Sequence, residues 1–270
     1  MSQSDTLPAP DTASLTSASR TSLFVTLWLI WAALLAAAMV LGNMDGMRTP
    51  ATVTRMGSSV ALVITGCIAY AIWRHSPAGA YAWWIALGMA LGTVGDFFNA
   101  HLLTFIPLKE PVIGGILSFG LGHIAYIIGI VGLGRLAGLR DRRAMILAVI
   151  AWQIIGLVGW YYVAWLGEKN RDVVWPALPY SLLLAGTAGV ASGLALQERR
   201  LTGLALGGAL FLASDLILAV GMFRGSFRHQ SEAVWLTYGP GQMLIVFSIL
   251  SAAAILASWT AASVRSTERH

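Results

Sequence analysis

The stretch Gly92-Thr93-Val94-Gly95-Asp96-Phe97-Phe98-Asn99-Ala100-His101 decides the fold. It sets an ionisable carboxylate inside a segment that otherwise reads as a membrane span. An apolar run beginning near Tyr81 leads into it, and another follows from Val112. An ionised Asp near the centre of a membrane helix costs at least ~2.5 kcal/mol, so such a residue normally faces a bundle interior or a wet cavity and marks a functional site. The arrangement occurs a second time, at Phe211-Leu212-Ala213-Ser214-Asp215-Leu216-Ile217-Leu218-Ala219.

Composition agrees with a membrane setting. Of 270 residues, 57% are hydrophobic and 11% charged, and the mean hydropathy is +0.73. A soluble domain carries about 25% charged residues. The net charge of +5 fits basic loops on the cytoplasmic side of a membrane better than a nucleic-acid partner, and none is expected. The one cysteine, Cys67, falls within an apolar run. Intrachain disulfides and Cys-based zinc or redox motifs are thereby excluded.

A span needs roughly 20 mostly apolar residues. That ruler gives an all-α, polytopic transmembrane bundle of eight helices, over about 21–42, 56–74, 80–103, 112–134, 143–166, 173–196, 202–222 and 234–258. Residues 1–20, rich in Ser, Thr, Ala and Pro, read as a disordered tail. Residues 21–260 then form one transmembrane domain, and 261–270 a C-terminal tail. The segment Met44 to Arg55 is a loop in this reading, and Gly239-Pro240-Gly241 a break in helix eight. With both termini in the cytoplasm, inside segments hold ten Lys and Arg and outside segments seven, Lys109 among the latter. The positive-inside rule favours that orientation. Most of the eleven Trp fall near span ends, as an interfacial belt requires. Gly88, Gly92 and Gly95, then Gly203, Gly207 and Gly208, precede the two Asp at spacings that let membrane helices approach closely.

Polar residues within spans form a small set. Asp96, Asn99 and His101 lie on helix three, His123 and Tyr126 on helix four, Ser214 and Asp215 on helix seven, and Tyr238 and Gln242 on helix eight. Alternating helix direction brings both Asp just past mid-span and His123 near the midplane, so that one cavity opening toward the outer leaflet could collect them. Asp96 to His123 is 27 residues (123 − 96), and so is Asp215 to Gln242 (242 − 215). That interval permits two parallel four-helix repeats. A metal is the competing use of these groups. His123 with Asp96 and Asp215 makes an oxygen-rich set without the three-His or Cys/His pattern of zinc, and neither metal nor cofactor is assigned.

At these positions the chain resembles the YhhN family, the lysoplasmalogenases. The matching pieces are Gly95-Asp96, Gly122-His123 with Tyr126, Phe211 with Ser214-Asp215 and Leu218-Ala219, and Thr237-Tyr238 with Gln242. Together they cover about residues 80–250. The resemblance implies an enzyme of a bacterial inner membrane. It would hydrolyse the vinyl ether of a lysoplasmalogen, a lysophospholipid entering from the bilayer, to a fatty aldehyde and a glycerophospho-base. Such hydrolysis begins with proton transfer to carbon and passes through an oxocarbenium-like ion. One carboxyl must be protonated and the other charged, as in glycosidases. Asp96 and Asp215 would be that pair, their order open. His123 and Tyr126 would orient water or hold a carboxylate. Tyr238 and Gln242 would fix the ether or glycerol oxygens, and Asn99 and Ser214 complete the set. Two other classes use the same features: a proton-coupled transporter, for which paired intramembrane Asp, a repeat and a bent helix eight are apt, and a lipid-binding protein.

Overall fold

A computed structural model describes residues 16–108 and 111–267. Eight long helices follow one another: α1 Ser17–Gly42, α2 Arg48–Trp73, α3 Gly79–Asn99, α4 Pro111–Leu136, α5 Arg142–Trp160, α6 Val174–Ala195, α7 Thr202–Phe223 and α8 Gln230–Thr267. Among the described residues no strand occurs. Seven of the helices are long and apolar enough to cross a membrane, and the chain is an integral membrane protein. The remaining one is α3, whose 21 residues include Asp96, four glycines and two Trp. Asp96 and the glycines lower its hydropathy, and half of α3 is packed inside the bundle rather than turned to lipid.

Helix ends depart from the sequence reading in ways that matter for the site. Helix α2 begins at Arg48, eight residues before the expected start, because Pro50 falls in its first turn, where a missing N–H costs nothing. Arg55, expected in a loop, is therefore a helical residue. Helix α3 stops at Asn99 rather than 103. Leu102 N–H bonds Phe97 O at 2.9 Å and His101 N–H bonds Phe98 O at 3.0 Å, with His101 left-handed at φ 55. This is a Schellman stop, and it leaves Asp96 in the last turn of α3, not just past mid-span. Helix α5 ends in a π-helical turn, Tyr161–Trp165, whose last carbonyl accepts from Arg171 Nη1 at 2.7 Å.

Helix α8 shows no break. It runs through Pro240 to Thr267, and the expected C-terminal tail is helical over 261–267. After Gly241 the sequence has neither Gly nor Pro and is rich in Ala, the best helix former. At Pro240 the lost hydrogen bond is offset by tight packing on both flanks, Gly239 against Leu35 and Gly241 against Gly207. Of the expected N-terminal tail, residues 1–15 lie outside the described residues, as do Lys109 and the last three residues; Ser17 to Arg20 are already helical.

Sequential helices pack as neighbours within α1–α4 and within α5–α8, and the halves meet through α4 with α6, α2 with α8 and α3 with α8. The crossings of α3 with α4 and of α7 with α8 are built alike. A Cβ at Gly88 would come 2.9 Å from Gly122 O, and one at Gly207 would come 2.8 Å from Gly241 O. Gly207 and Gly241 each stand 119 residues after their counterparts, the interval that also separates Asp215 from Asp96 (215 − 96). Only glycine permits such an approach. These crossings bring the two acidic helices into the interior, against a core of Tyr81, Ile85, Met89, Ile130, Ile245 and Ile249.

Candidate active site

Asp96 is held by hydroxyls from two other helices. Ser59 of α2 donates to Asp96 Oδ2 at 2.6 Å, and Tyr238 of α8 donates to the same oxygen at 2.9 Å. The network continues upstream. Tyr126 donates to Gln242 Oε1 at 2.8 Å, and Gln242 Nε2 donates to Tyr238 Oη at 3.2 Å. Tyr126, Gln242, Tyr238 and Asp96 thus form one directed chain across α4, α8 and α3, all of it buried. Gln242 and Tyr238 share a helix face because they are four residues apart.

Asp215 is half-buried. Its Oδ2 accepts from the Tyr180 hydroxyl of α6. Ser214 lies 3.3 Å from its Oδ1, but the Ser214 hydroxyl has its closer acceptor in Phe211 O at 2.7 Å.

Both Asp open onto one polar chamber of about 420 Å³, walled by α2, α3, α7 and α8, with Arg55, Asn99, Trp235 and Tyr238 also on its lining. A second space adjoins it. This is a narrow channel of about 80 Å³ between α4, α5, α6 and α7, lined by Ile116, Trp160, Ala177, Leu212, Ala219 and Phe223 among others. Asn99, Phe119, Asp215 and Leu218 line both spaces. Phe119 reaches this boundary because Gly95 leaves room for its ring, and Asn99 because Gly115 does the same. The π turn supplies Val163 and Ala164 to the channel wall. Local π-helical geometry is frequent at functional sites.

His123 stands apart from both carboxylates. Its Nδ1 lies 2.8 Å from Thr187 Oγ1, its ring 4.4 Å from that of Phe211, and it lines neither space. The Thr187 hydroxyl donates to Leu183 O, so His123 donates through Nδ1, and Nε2 is left buried with no hydrogen-bond partner among the described residues. Its packing role fits this geometry better than orienting water. Ser59, Tyr180 and Arg55 were not legible as site residues. A Ser pair in helix two and a Tyr after Pro179 in helix six were the available signals. Among the described residues no three His, Cys, Asp or Glu side chains gather as metal ligands.

Against models of known families, residues 56–249 match the YhhN family. The chain belongs to the YhhN family. No curated protein and no solved structure matches it. The YhhN match runs from Met56 on α2 to Ile249 on α8, so it contains both Asp, all four hydroxyl donors around them and both glycine crossings. Arg55 lies one residue ahead of it.

Proposed function

We propose that the protein hydrolyses the vinyl ether of lysoplasmalogens, releasing a fatty aldehyde and a glycerophospho-base. One observation carries the reading: two carboxyl groups share a polar chamber that adjoins an apolar channel at one of them, Asp215. A lysophospholipid has the same division, a polar head and one long chain, with the ether at the junction.

The alkenyl chain lies in the channel and puts its vinyl carbons beside Asp215. Asp215 gives its proton to the β-carbon, converting R–CH=CH–O–R′ to the oxocarbenium R–CH2–CH=O⁺–R′. Asp96, on the polar side, is the ionised partner. It stabilises the cation and takes a proton from the water that attacks the ether carbon. The resulting hemiacetal collapses to R–CH2–CHO and the alcohol HO–R′: Asp96 passes its proton to the leaving oxygen, and the hemiacetal hydroxyl gives its proton to the Asp215 carboxylate through the chamber. One water is consumed and both carboxyls return to their starting states. Ser59 and Tyr238 fix the Asp96 carboxylate, and Tyr180 fixes that of Asp215. Asn99 reaches the ether and glycerol oxygens. In this reading the protein sits in a bacterial inner membrane with both termini cytoplasmic, and the chamber opens toward the outer leaflet.

The test is aldehyde release by the purified full chain in detergent, given a 1-alkenyl-glycerophosphoethanolamine. Release that disappears in folded Asp96→Asn and Asp215→Asn supports the enzyme. A folded wild-type protein that releases none, or that instead moves lipid or protons in liposomes, removes it.

A further inference from the structure

Arg55 is an unusual cation for its position. It projects from α2 into the chamber that holds Asp96 and Asp215, and its side chain is only 14% exposed. Its one ionic neighbour among the described residues, Glu232 of α8, is 3.6 Å away and 18% exposed. That separation exceeds the ~2.7–2.9 Å of a charge-assisted hydrogen bond. Nε is buried without a partner among the described residues. The guanidinium centre stands 6.0 Å from the Trp235 ring. A guanidinium has five donors in a planar fork suited to a phosphate, and a buried N–H left without a partner is costly.

Room exists in one direction. The end of α1 closes over the group, since a Cβ at Gly42 would come 2.8 Å from Arg55 Nη2. The open side is the chamber. The charges point to a particular ligand class. A lone arginine would select any anion, but Arg55 and Glu232 together are neutral, and a neutral pair matches a molecule carrying one negative and one positive charge.

We propose that Arg55 and Glu232 form the headgroup subsite of this chamber and bind a zwitterionic phosphoamine by exchange of partners. Glu232 stands off the chamber wall, behind Arg55 and near Gly42; the phosphodiester takes the Arg55 fork, and Glu232, released from Arg55, turns to the ammonium at the rim beside Trp235. This rests on the hydrolase reading for the lipid that carries the headgroup, and it assigns the residues that select that headgroup.

Glycerophosphoethanolamine, the soluble head of such a lipid, is the probe. Thermal unfolding of the full chain in detergent should rise by several degrees in millimolar glycerophosphoethanolamine and not in equal inorganic phosphate or ethanolamine. Arg55→Leu should abolish the shift, Arg55→Lys should keep part of it, and Glu232→Gln should turn the preference toward glycerol 3-phosphate. In the aldehyde assay Arg55→Leu should raise KM ten- to a hundredfold and change kcat less than threefold. A shift of equal size in Arg55→Leu overturns the proposal, and so does an equal shift with inorganic phosphate, which would mark an anion site only. Loss of probe binding in Arg55→Lys as complete as in Arg55→Leu, with both variants unfolding early, would make Arg55 structural and also overturn it. Probe binding through Arg55 without aldehyde release leaves the subsite standing and removes the hydrolase. Aldehyde release with an unchanged KM in Arg55→Leu does the reverse.

Discussion

Tyr238 donates its hydroxyl to Asp96 Oδ2 across 142 residues of sequence, at 2.9 Å. The same hydroxyl oxygen accepts from Gln242, which accepts from Tyr126, so each donor is polarised by the one behind it. A hydrogen bond to a charged group contributes about 1.5–3 kcal/mol. Tyr238→Phe should therefore lower kcat roughly ten- to a hundredfold with KM changed less than threefold, since each ~1.4 kcal/mol is tenfold in rate. Tyr126→Phe, two bonds further from the carboxylate, should cost less, about three- to tenfold. Steady-state aldehyde release measures both.

The two carboxyls act on one substrate in sequence. Asp96→Asn and Asp215→Asn should each lower kcat at least about a thousandfold, and the double variant should be no worse than either alone, because groups that act as a unit are not additive. Thermal unfolding near the wild-type temperature checks that the fold is intact. A double variant whose loss is the product of the single losses would mean the two Asp act independently.

Ala219 lines the apolar channel and lies one turn beyond Asp215 on α7. Ala219→Phe should shorten the space for the alkenyl chain. kcat/KM for a sixteen-carbon substrate should fall at least about tenfold while that for a six-carbon substrate stays within threefold, because the added ring meets only the longer chain. Equal losses for both would show that the chain lies elsewhere.

The glycine crossings predict a contrast in stability. Gly207→Ala would put a methyl 2.8 Å from Gly241 O and 3.0 Å from Ile245 Cγ1, and such overpacking costs about 1–3 kcal/mol. Its unfolding temperature should fall by several degrees. Gly132→Ala, also helical, meets nothing within 4 Å. It should be neutral or slightly stabilising, by up to about 1 kcal/mol, from the lower helix propensity of glycine. Differential scanning fluorimetry of the two variants in one detergent gives the comparison.

By itself the sequence determined that this chain is a bundle of membrane helices with two acidic groups in its interior. Apolar runs of span length have one physical outcome in a bilayer, where every backbone polar group must be bonded within its own helix. The cost of an intramembrane carboxylate pointed to Asp96 and Asp215 before any fold was known. Tyr238 and Gln242 were legible for a local reason, since residues four apart on a helix share a face. Helix ends were less legible. The stop at Asn99 rests on a left-handed His101, and the early start of α2 on Pro50 in its first turn. Only the tertiary structure decided who surrounds each carboxylate. Ser59, Tyr180 and Arg55 come from helices whose polar content looks ordinary, and His123, conspicuous in the sequence, turns to Thr187 instead. A side chain's partner across a bundle depends on the rotation and depth of each helix. Those are set by close packing at contacts such as Gly88 with Gly122 and Gly207 with Gly241, which no single helix's sequence contains.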